Sequence, residues 1–74
     1  MFIATPTQTN TILRAVNSPA LAALGEPMTF FELQDNIYYG GEEYCLTWIE
    51  LLYDYKPYGY LRAIEALETI IRLS

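Results

Sequence analysis

The sequence predicts a small all-α domain of four to five short helices, and three observations predict it. Helix-boundary signals recur at short intervals, at Ser18-Pro19, Gly25, Thr29-Phe30-Phe31-Glu32, Gly40-Gly41 and Pro57-Tyr58-Gly59. Between them, apolar residues return every three or four positions, the period of an amphipathic helix. The chain has 74 residues, 53% of them hydrophobic, which suits one domain, 1–74, joined by short connections.

Residues 1–8 read as an extended N-terminal arm. Thr9 or Asn10 would cap the first helix, and Ile12, Leu13 and Val16 form its apolar stripe. Asn17 ends that stripe. Ser18 then serves as an N-cap with Pro19 at the first helical position, where a missing N–H is harmless. Pro19 makes a break more consistent with residues 9–24 than one continuous helix. Gly25 closes 20–24 as a C-cap glycine.

Thr29-Phe30-Phe31-Glu32 is a capping box, with Met28 and Leu33 placed as a hydrophobic staple. The helix it opens runs from Phe30 to about Tyr38, and Gly40-Gly41 stops it. Tyr and Ile in 36–39 also favour strand, so a short hairpin near 36–44 is the alternative there.

Glu42 and Glu43 start the next helix, where negative charge suits the macrodipole. Cys45, Trp48, Ile49 and Leu52 form its core-facing stripe, and Glu43, Thr47, Glu50 and Asp54 its polar face. It ends before Lys56-Pro57. The last helix, from about Tyr60 to Leu73, places Tyr60, Ile64, Leu67 and Ile71 inward, with Leu61 and Ile70 widening the stripe. Glu68 and Arg72 stand as an i, i+4 pair.

The charge pattern is the functional lead. Between Arg14 and Lys56 there are seven carboxylates and no base, and all seven tyrosines fall within 38–60. The net charge is −5. Such a surface repels phosphates and anionic membrane, and it suits a protein partner with a basic or polar surface. The N-terminus lacks the basic start and apolar stretch of a signal peptide, and Glu50 and Asp54 interrupt the longest apolar run. A cytoplasmic protein with no membrane partner is the expectation, and a single cysteine fits a reducing compartment.

Chemistry is sparsely provided for. The chain has no histidine, so neither the commonest general base nor the commonest metal ligand is present. Adjacent Glu42 and Glu43 diverge by about 100° on a helix and do not converge on one atom. Cys45 lies among acids, which raise a thiol pKa, and reads as a core cysteine. No enzyme activity, cofactor or metal is expected.

Segments 20–24 and 30–38 admit a helix-turn-helix arrangement and hence a transcriptional regulator. The second helix would present Glu32, Gln34, Asp35 and Asn36 to phosphates, so direct nucleic-acid binding is not expected. The residues favoured for partner binding are Glu32, Asp35, Tyr39, Glu42, Glu43, Glu50, Asp54, Tyr55 and Tyr58. Tyr39, Tyr55 and Tyr58 sit in or beside turns and are expected to be exposed. The expected function is a non-enzymatic acidic binding module. One form is a small inhibitor that occupies a basic or nucleic-acid-binding groove of its target. In size and composition, though by no motif, the chain is similar to small phage-encoded anti-restriction and anti-CRISPR inhibitors. The alternative is a structural subunit that forms a homo-oligomer through its tyrosines and last helix.

Overall fold

Thr5 opens the first helix. Its hydroxyl accepts from the Gln8 N–H at 3.1 Å, and the Gln8 side chain accepts from the Thr5 N–H at 2.9 Å. With Pro6 at the first helical position, α1 spans Pro6–Val16. The computed structural model describes residues 1–74, and in it the arm is therefore five residues, not eight. Thr9 and Asn10 lie inside the helix rather than at its start. The Thr5-x-x-Gln8 box precedes the apolar stripe by a full turn, so a reading that starts from the stripe begins the helix late. Thr9 is buried, and its hydroxyl is satisfied by donating to the Thr5 carbonyl at 2.8 Å.

Asn17 caps the C-terminus of α1 and also closes the following loop. Its side-chain amide donates to the Met28 carbonyl at 2.7 Å, and its side-chain oxygen accepts from the Met28 N–H at 2.8 Å. Inside that clamp, Pro19–Leu24 form a 3-10 helix ending at Gly25 (φ 148°). The break at Pro19 is present. Ser18 is not a side-chain cap, however: its hydroxyl oxygen is buried without a hydrogen-bond partner. The element before Phe30 is a six-residue 3-10 helix, so residues 20–38 are not a pair of α-helices.

The second α-helix, α2, spans Phe30–Tyr55. The Thr29 capping box is formed in both directions, at 3.1 Å and 3.2 Å. Gly41, at φ 62° and ψ −146°, leaves helical geometry and bends the element. The glycines therefore interrupt the helix where the sequence predicts, but the chain resumes helix at once. No strand forms at 36–44. Ile37 and Cys45 on either side of the bend are both buried, and this burial overrides the strand preference of the tyrosines. The Phe2 ring packs beside Gly41, 3.5 Å from where a Cβ would stand, and Gln34 donates to the Ala4 carbonyl. The arm is thereby laid along the bend.

Lys56 adopts left-handed geometry (φ 48°) to end α2, and α3 spans Tyr60–Leu73 behind a left-handed Gly59. Helix α3 packs on both α1 and α2. Ile12, Leu33, Ile37, Cys45, Leu52, Ala63 and Leu67 are completely buried at the centre. Two expectations need correction. Trp48 is only partly buried and packs against the core from outside. Arg72 donates to the Thr69 hydroxyl at 3.2 Å, a partner one residue nearer than Glu68. No helix is long and apolar enough to cross a membrane.

Candidate acidic and aromatic surface

Helix α2 carries six carboxylates and no base: Glu32, Asp35, Glu42, Glu43, Glu50 and Asp54. All six are exposed. Helical spacing explains why. Leu33 and Ile37 face the core, and Glu32, Asp35 and Tyr39 fall on the opposite side of the same segment. Past the bend, Cys45 and Leu52 face the core, and Glu43, Thr47, Glu50 and Asp54 fall opposite. Glu32 also serves its own helix terminus as the Thr29 capping partner.

The expected site residues do not form one cluster. Glu32, Asp35 and Tyr39 share one face before Gly41, and Glu43, Glu50 and Asp54 share one after it. Glu42 lies on a flank of the second segment with Leu46 and Tyr53. Tyr55 is rotated about 100° from Asp54 and leaves the acidic face. Tyr58 stands apart in the turn after α2. It is 98% exposed and lines a groove with Thr11, Arg14, Leu61 and Arg62. Its neighbours are basic rather than acidic.

Tyr39, Tyr55 and Tyr58 are exposed as expected, and so are Tyr38 and Tyr53. Tyr44 and Tyr60 are partly buried against the core. The Tyr44 hydroxyl donates to the Met28 sulfur at 3.4 Å, and the Asn36 amide donates to the Tyr44 oxygen. That small network ties the 17–28 loop to α2. Sequence reasoning missed four apolar members of the surface. Phe31 is 74% exposed, and Tyr38, Leu46 and Tyr53 are each about half exposed. Phe31 and Tyr38, like Leu46 and Tyr53, are spaced i, i+7, a signal that was available. The pairs sit beside the polar face, so they read as the edge of the core stripe.

Cys45 is buried, and burial, with the Glu42 charge adding to it, pushes its thiol pKa up to about 11. A thiol held protonated at neutral pH is a poor nucleophile. No group of three or more acidic or cysteine side chains is placed to hold a metal ion. A groove of about 680 Å³ lies between the 17–28 loop and Trp48. Its walls include Val16, Leu21, Leu24 and Met28, and the buried Ser18 hydroxyl lies at its edge. No protein-family model, curated protein or solved structure matches the chain.

Proposed function

We propose that the chain is a protein-binding module whose contact surface is the outer side of α2. The observation that carries this reading is a conjunction on one helix. Six exposed carboxylates without a base share α2 with the exposed Phe31, Tyr38, Tyr39, Leu46 and Tyr53. Aromatic rings supply rigid contact area with few rotamers to freeze, and the carboxylates supply the sign of the partner. Leu33, Ile37, Cys45 and Leu52 of this long helix are buried and Tyr44, Trp48 and Ile49 pack against the core, while Phe31, Tyr38, Tyr39, Leu46, Tyr53 and Tyr55 stay exposed on its outer side. The partner is a protein with a basic surface. An inhibitor that occupies a basic, nucleic-acid-binding cleft is one form of such a module, its carboxylates standing where phosphates would.

Photo-crosslinking in cells of the source organism tests this. A benzophenone amino acid replaces Tyr39 or Tyr53 on α2, or Glu68 on α3 as the control. The reading expects a protein with a basic surface captured from both α2 positions and not from Glu68, with yield falling as salt is raised. Capture from Glu68 alone, or capture insensitive to salt, would place the binding surface elsewhere.

A further inference from the structure

We propose that the basic groove between α1 and the 58–62 turn seats the acidic face of α2 from a second copy of this chain. This rests on the reading of α2 given above and names its partner. Charge in the molecule is segregated by element. Residues 1–25 contain no acid, α2 contains no base, and α3 is balanced by Arg62 and Arg72 against Glu65 and Glu68. Arg14, near the end of α1, and Arg62, in the first turn of α3, line the same groove of about 510 Å³. Both arginines are exposed. The first turn of α3 holds no acid, a cation there opposes the macrodipole, and the next acid, Glu65, lines a neighbouring groove with Arg62. Two arginines and no acid line this groove, in a chain whose net charge is −5.

The two surfaces also match in kind. Around the arginines stand Tyr58 and Leu61, 98% and 61% exposed. Around the α2 carboxylates stand Tyr39, Leu46 and Tyr53. A guanidinium pairs with a carboxylate in a two-point hydrogen bond and stacks on a tyrosine face, so each side presents what the other receives. No α2 residue lines the groove, which leaves both surfaces of one copy open together. The contact joins unlike patches, so it is heterologous and either closes as a ring or extends as a chain.

Sedimentation or light scattering across concentration and salt tests the proposal with two neutralised variants. Arg14→Gln with Arg62→Gln removes the groove's charge. Glu43→Gln, Glu50→Gln and Asp54→Asn together weaken the α2 face. The wild type should associate as its concentration rises at low salt and return to single chains near 1 M salt, where screening acts within about 3 Å. Each variant alone should raise the apparent Kd by about tenfold or more. An equimolar mixture should form a complex of two chains and stop there, because each variant retains one working surface. A wild type that stays monomeric, association that the arginine substitutions leave unchanged, or no complex in the mixture while circular dichroism shows native helix would each overturn the proposal. A monomeric wild type that still crosslinks a foreign basic protein from Tyr39 would leave the α2 reading standing and remove only the second copy as its partner.

Discussion

Two side chains, Thr29 and Asn17, set local backbone geometry, and a third, Cys45, gives the fold a pH dependence. Thr29 caps α2 through a hydroxyl that accepts from the Glu32 N–H, a bond that a short side-chain oxygen of Ser, Thr, Asn or Asp makes and alanine does not. Thr29→Ala should destabilise the fold by about 0.5–2 kcal/mol in chemical denaturation, and Thr29→Ser should change little. Asn17 fixes the 17–28 loop by satisfying both backbone groups of Met28. Asn17→Ala strands that N–H and carbonyl and should cost about 1–3 kcal/mol by the same measurement. Cys45 gives a pH signature. Its thiol has an ordinary pKa of 9.0 once unfolding removes its burial, and burial pushes it up to about 11 in the fold. Between those values the unfolded state holds fewer protons than the native state, so stability falls as pH rises. Stability should carry the full Cys45 contribution below pH 9 and lose it as pH climbs toward 11. Cys45→Ala should flatten that part of the profile, and the native thiol should resist a disulfide reagent until the protein is unfolded.

At the scale of elements, the Thr29 cap and the prolines were legible in the sequence, whereas the Thr5 box, the uncapped state of Ser18 and the bend were not. The Thr29 box, the Pro19 break and the Pro57 stop all act through nearest neighbours along the chain, so pattern alone reveals them. Gly40-Gly41 reads as an end because glycine commonly closes a helix at its C-terminus. It is a bend because Phe2 packs at Gly41 while Ile37 and Cys45 hold both segments to one core. That outcome depends on contacts between residues distant in sequence. Gly41 occupies backbone geometry that other residues strain to adopt, so Gly41→Ala should cost about 1–3 kcal/mol. Gly40→Ala should disturb the bend differently, because its Cβ would stand 2.5 Å from the Tyr44 Cβ. The place of Trp48 in the stripe predicts a core residue. Its large ring instead covers the edge of the core beside the 17–28 loop. Its emission should lie between the buried and solvent-like extremes, with acrylamide quenching the folded protein measurably. Full protection from quencher would return Trp48 to the core.

For the whole molecule, the sign of the surface was legible and its arrangement was not. Composition places the carboxylates and tyrosines in one stretch of sequence, but a helix distributes consecutive residues around its axis. That rotation keeps Glu43, Glu50 and Asp54 together, turns Tyr55 aside and carries Tyr58 to the basic groove. The same rotation brings Leu46 and Tyr53 into the site's flank. Truncating Tyr39 or Tyr53 to alanine should therefore speed dissociation of a captured partner, and Tyr55→Ala should affect it less. The most direct test of the α2 surface is the association rate with that partner, measured at low and at physiological salt for the wild type and for Glu43→Lys with Glu50→Lys. The surface predicts slower association for the double variant and a flatter dependence on salt, with helix content unchanged. Equal rates and equal salt dependence in a natively folded variant would contradict it.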